Sequence, residues 1–110
     1  MSSRFKELLS QDRTIFLDGA MGTMLQAKGM PAGVSPSLYC MQRPDVLLSI
    51  HKEYIAAGAD IILSNTFSGS PFKLDPGLEV EEFNRRMAEI AREAADAAGR
   101  PVCVAGDIGP

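Results

Sequence analysis

At 110 residues, with 45% hydrophobic and 23% charged content, the chain has the make-up of one small globular domain with a real core, and this balance excludes disorder. A net charge of -3, with positive side chains interleaved among negative ones, removes the electrostatic case for nucleic acid or an anionic membrane surface as partner. The amino terminus breaks its apolar residues with charges, and no later apolar run reaches membrane-spanning length; a cytoplasmic location is therefore expected.

In chain order, Phe5, Leu8 and Leu9 have the spacing of a short amphipathic helix that covers one end of the domain. Thr14-Ile15-Phe16-Leu17 then reads as an apolar strand of about four residues that ends in Asp18 and dissolves into Gly19-Ala20-Met21-Gly22. One or two helical turns follow over Thr23–Lys28. From Met30 to Arg43 the residues Pro31, Gly33, Pro36 and Ser37 predict an extended loop anchored by Leu38 and Tyr39. Pro44 and Asp45 suit the first turn of a helix whose face is Leu47, Ile50, Tyr54 and Ile55, stopped by Gly58. His51, the single histidine, sits beside that face and reads as a partly buried structural residue rather than a catalytic one.

Ile61-Ile62-Leu63 is the second strand and ends in Ser64-Asn65-Thr66. A long helix then carries Val80, Phe83, Met87, Ile90, Ala91, Ala94 and Ala98 as its apolar stripe, with Glu81–Arg85 and Glu82–Arg86 expected to pair on the wet face. Gly99 and Pro101 close it, and Val102-Cys103-Val104-Ala105 forms a third strand that ends in Gly106-Asp107. The pattern is βαβαβ with parallel strands, each delivering polar groups at its carboxyl end, as a sheet does where it builds a site.

The turn Asp18-Gly19-Ala20-Met21-Gly22 has neither dinucleotide spacing nor the Lys-Ser/Thr of a phosphate loop, and an acid stands where a phosphate would be repelled. It suits an amino acid, because a carboxylate can take an ammonium group while nearby glycine amides bind a carboxylate. The plainer alternative, equally open on spacing alone, is that Asp18 caps the next turn and the glycines only bend the chain. Cys40 and Cys103 lie far apart without metal-ligand spacing, so a disulfide framework or local zinc knuckle is not expected, and Cys103 reads as a small apolar strand residue.

Asp18-Gly19-Ala20-Met21-Gly22-Thr23, Arg43-Pro44-Asp45-Val46, Gly58-Ala59-Asp60-Ile61-Ile62 with Asn65-Thr66-Phe67, and Gly106-Asp107-Ile108-Gly109-Pro110 together resemble the homocysteine S-methyltransferase family. Within it, the amino-terminal homocysteine domains of cobalamin-dependent methionine synthases are most alike. The resemblance implies a (β/α)8 TIM barrel of which residues 1–110 would be the first three strands. It also implies a zinc ion held by three cysteine thiolates from later strands, which turns the homocysteine thiol into a nucleophile. The methyl group would come from methylcobalamin or, as in relatives, from another activated methyl donor, with cobalamin and folate modules lying carboxyl-terminal to this segment in the parent. By the same resemblance Asp18 holds the substrate ammonium and Gly19 offers a backbone amide to its carboxylate. Ala20, Asn65, Thr66 and Asp107 complete the substrate-binding set.

Neither a catalytic residue nor a metal ligand of that family has a counterpart here. A barrel needs roughly 250 residues, so the expectation is an incomplete domain, inactive alone, that partners the remainder of its barrel or self-associates through uncovered strands. A different class stays open: a small self-contained α/β module that binds an amino acid or other polar ligand without catalysis.

Overall fold

The computed structural model describes residues 3–110. Its elements run α1 (Ser3–Leu9), α2 (Gly22–Ala27), α3 (Pro36–Gln42), α4 (Pro44–Ala56), β1 (Ile61–Leu63), α5 (Val80–Asp96) and β2 (Cys103–Ala105). Helix α4 begins as its sequence dictates, with Pro44 in the first turn and Asp45 at the positive end of the dipole. Gly58 stops it at φ +115°, a conformation that a side chain would strain. Helix α5 opens on Glu79, whose carboxylate accepts the amide of Glu82, and it buries Phe83, Met87, Ile90, Ala91, Ala94 and Ala95 on one stripe. On its wet face the ion pair is Arg85–Glu89 at 2.6 Å, in place of the expected Glu81–Arg85 and Glu82–Arg86 pairs.

Strands β1 and β2 pair in parallel, Ile61 with Cys103, Ile62 with Val104 and Leu63 with Ala105. The strand expected at Thr14–Leu17 is corrected to one parallel bridge, Leu17 to Ile61. The main chain nevertheless runs alongside β1: Ile61 donates to the Phe16 carbonyl at 3.1 Å, and Asp18 donates to the Ile61 carbonyl at 3.1 Å. The segment has a neighbour on one side only and leaves Phe16 and Leu17 more than half exposed, so little packing holds it flat. A second correction falls between Met30 and Arg43, where part of the expected loop is helix α3. Ser35 accepts the amide of Leu38 at 3.4 Å and Pro36 fills the first helical position; residues that signal a loop act there as a helix start.

The helices crowd one face of the sheet. Ile62 and Val102 pack with Ile55, Ala59, Ala91, Ala94 and Ala95, and beside them Leu25, Tyr39, Cys40, Leu47, Ile50, Phe83, Met87 and Ile90 form the larger cluster. On the opposite face Leu17 is 61% and Leu63 37% exposed, which marks a sheet with one layer of helices. At its lower end α1 buries Leu8, and Arg4 reaches the Val102 carbonyl at 3.3 Å.

A buried carboxylate fastens the amino-terminal ends of these segments. Asp60 takes two bonds from the Arg13 guanidinium at 2.8 and 2.9 Å, the amide of Phe16 at 3.0 Å and a longer contact from Arg100 at 3.3 Å. The Arg13 bonds hold its carboxyl down to about 2 despite burial. Asp60 thereby latches the Phe16–Asp18 segment to β1.

Candidate functional site

The carboxyl ends of the three parallel segments converge at one end of the sheet. Asp18 follows the Leu17 bridge, and its Oδ2 accepts the amide of Leu63 at 3.1 Å across the top of β1. Half-burial raises its carboxyl above the ordinary range; the Leu63 bond opposes that, and the Asp107 charge adds to it. No side chain bonds the Asp18 carboxylate among the described residues. Two carboxylates thus stand at the carboxyl ends of the segments that flank β1, and the Asp107 charge makes Asp18 harder to ionise. A cation placed beside Asp18 relieves that cost.

Gly19 and Ala20 form the turn beyond Asp18. A Cβ at Gly19 would lie 3.2 Å from the Tyr54 hydroxyl oxygen and 3.3 Å from its ring, so the close approach explains the glycine. The Tyr54 hydroxyl donates to the Ala20 carbonyl. Asp18, Gly19 and Tyr54 line a cleft of about 500 Å³ that also takes in Arg13 and Phe16.

Thr66 and Asp107 line a second cleft, of about 350 Å³, with Phe67, Ser70, Asn84 and Ile108. Thr66 Oγ1 donates to the Asp107 carbonyl at 2.6 Å, the Asp107 amide donates to Ser64 Oγ at 3.0 Å, and Ser64 Oγ lies 2.7 Å from Thr66 Oγ1. One proton per hydroxyl closes this ring in a single sense: Ser64 must donate to Thr66, because the Thr66 proton goes to the carbonyl. Both hydroxyl protons are therefore committed to holding Asp107, whose carboxylate stays free of hydrogen bonds among the described residues. A Cβ at Gly109 would sit 2.2 Å from the Phe67 carbonyl oxygen, so the loops after β1 and β2 interlock.

Asn65 is placed differently. It adopts φ +62°, the left-handed region that asparagine tolerates. Its amide turns to Cys40 Sγ and Met87 Sδ, both at 3.5 Å, on the helix-covered side rather than towards Asp18.

The residues that sequence reasoning passed over here are Tyr54 and Ser64. Tyr54 read only as part of a helical face, and no local pattern links it to a turn 34 positions away. Ser64 had a usable signal, since a serine directly after an apolar strand must find a partner when buried, and it is 3% exposed.

The donor set does not suit a catalytic zinc ion. Burial pushes the Cys40 thiol up to about 11, which keeps it protonated when a zinc ligand must be a thiolate. Cys103 is buried in β2, and among the described residues no three His, Cys, Asp or Glu side chains cluster. His51 is fully buried with neither ring nitrogen bonded, and desolvation lowers it to about 4. Among the described residues no helix is long and apolar enough to cross a membrane.

Methionine synthase from Mycobacterium tuberculosis is 37% identical over 116 aligned positions, which cover 94% of this chain and 10% of that protein. The chain therefore spans about a tenth of the length of this relative. Among solved structures, the metallated form of the homocysteine methyltransferase MmuM from Escherichia coli superposes with a TM-score of 0.74 at 27% identity, over 98% of this chain and 42% of that one. Its oxidised form gives 0.79 at 26% identity, over 99% and 41%. The model of the homocysteine S-methyltransferase family matches residues 15–110, nearly the whole length, and the chain belongs to that family.

Proposed function

We propose that residues 1–110 are the amino-terminal part of a (β/α)8 barrel that methylates the homocysteine thiol to give methionine, in an enzyme of the methionine synthase type, located in the cytoplasm. The observation that carries this is the pair of carboxylates, Asp18 and Asp107, at the carboxyl ends of the two parallel segments that flank β1, with Asp18 raised by burial and by the Asp107 charge. In this reading Asp18 takes the ammonium of homocysteine, and the Gly19 and Ala20 backbone lies against its carboxylate. The Ser64–Thr66–Asp107 ring keeps the second acid in place, and Asn65 steadies the turn from the helix side.

Zinc would be held by residues outside 1–110, since Cys40 and Cys103 are unsuited to it, and methylcobalamin with folate would be carried on other modules of the parent. What this chain contributes is recognition and orientation of the amino-acid end. The remaining barrel strands would add at the sheet's edges, and the exposed face carrying Leu17 and Leu63 would then line the barrel interior.

The test is a methyl-transfer assay on the complete enzyme and on residues 1–110 alone. Turnover of homocysteine by the complete enzyme, and none by the 110-residue chain, is expected. Turnover by the 110-residue chain, or a complete enzyme that ignores homocysteine, would contradict the proposal.

A further inference from the structure

The turn after Asp18 is held from outside the sheet by one side chain. Tyr54 lies in the last turn of α4, packs against both apolar clusters, and sends its hydroxyl to the Ala20 carbonyl. Its ring touches the spot that a Gly19 side chain would fill. Burial raises the Tyr54 hydroxyl above its ordinary value and the Asp18 charge adds to this, so it remains a protonated donor at neutral pH. The turn's other restraints lie at its flanks: after it Met21 starts α2 without a side-chain cap, and before it Phe16 and Asp18 are hydrogen-bonded to β1 and the residue preceding it.

We propose that Tyr54 is a positioning residue for the Asp18-Gly19-Ala20 turn, and that its hydroxyl sets the affinity of the site for the amino-acid end of the substrate. This rests on the proposed function for what the substrate is, but not for the hold on the turn. A carboxylate that must meet an ammonium at hydrogen-bond distance depends on the backbone that carries it. Here that backbone is braced by a rigid aromatic anchored in the core, with one hydroxyl as the fastening.

The experiment compares Tyr54→Phe, Gly19→Ala and Asp18→Asn with wild type in the complete enzyme, reading homocysteine KM and kcat, the melting temperature, and amide exchange at residues 19–22. Loss of one neutral hydrogen bond predicts a KM raised about three- to tenfold in Tyr54→Phe, with kcat within about twofold and faster exchange across the turn. Gly19→Ala, which keeps the hydroxyl but crowds the ring, should move KM and exchange in the same direction and covers the case in which Tyr54→Phe does not fold. A lower melting temperature with KM and exchange unchanged would overturn the proposal and leave Tyr54 a packing residue. Should Asp18→Asn leave KM unchanged, the homocysteine site itself is misplaced. Exchange then decides alone: faster exchange in Tyr54→Phe supports the hold on the turn, and wild-type exchange overturns it.

Discussion

Single residues in this chain carry charge in two contrasting ways. Asp60 is buried yet satisfied: four bonds hold its carboxylate, and it titrates below its usual range. Asp18 is half-buried and held by backbone amides alone, with a like charge nearby. The first pattern belongs to a structural latch, the second to a group kept ready for a ligand. His51 is a third case, an imidazole with no bonded nitrogen that burial keeps neutral. Its folded value of about 4 lies below the ordinary 6.5, so the unfolded chain binds the extra proton first as pH falls. Stability should therefore be unaffected by His51 above pH 6.5 and decline below it, by roughly 3 kcal/mol on reaching pH 4. Denaturant melts across that range should show the decline, and His51→Leu should flatten it. An equally steep profile in the variant would mean that another group is responsible.

At the scale of elements, α5 links the two apolar clusters: Phe83, Met87 and Ile90 lie in one, and Ala91, Ala94 and Ala95 in the other. Phe83 is 1% exposed, so Phe83→Ala should lower stability by about 3 to 5 kcal/mol while leaving homocysteine affinity per folded molecule nearly unchanged. A loss under about half a kcal/mol would mean that the site can collapse around the gap. Helices α4 and α5 were legible in advance because an unbroken 3.6-residue apolar stripe lies between a start signal and a glycine stop. Helix α3 was not, since Ser35 and Pro36 signal a loop as readily as a helix start, and only the burial of Tyr39 and Cys40 settles the choice. The Thr14–Leu17 segment has strand composition but finds a neighbour on one side alone, and pairing is a tertiary fact. The same limit applies to the site. Asp18, Thr66 and Asp107 announce themselves as polar residues ending apolar runs, whereas the sideways turn of Asn65 follows from its left-handed backbone and from sulfur atoms brought near by α3 and α5.

The molecule as a whole is a single layer of helices on a narrow parallel sheet whose other face is bare. Leu17 is 61% exposed on that face, Phe16 is 57% exposed in the edge segment, and Ile108 is 93% exposed in the loop after β2. Side chains of this size in water favour association, and an edge segment with unpaired backbone groups invites it. Residues 1–110 purified alone should therefore form dimers or larger species, and light scattering across a concentration series reads this directly. A monomer at every concentration would indicate that the bare face tolerates water.

The central claim is that Asp18 recognises the ammonium of homocysteine, and the most direct measurement is affinity in the complete enzyme for homocysteine and for gamma-mercaptobutyrate, its analogue without the amino group. A charge-assisted hydrogen bond is worth about 1.5 to 3 kcal/mol. Wild type should therefore prefer homocysteine by about ten- to a hundredfold, and Asp18→Asn should lose most of that preference through weaker homocysteine binding alone. Equal affinities for the two thiols in wild type, or a preference that survives Asp18→Asn, would contradict the account.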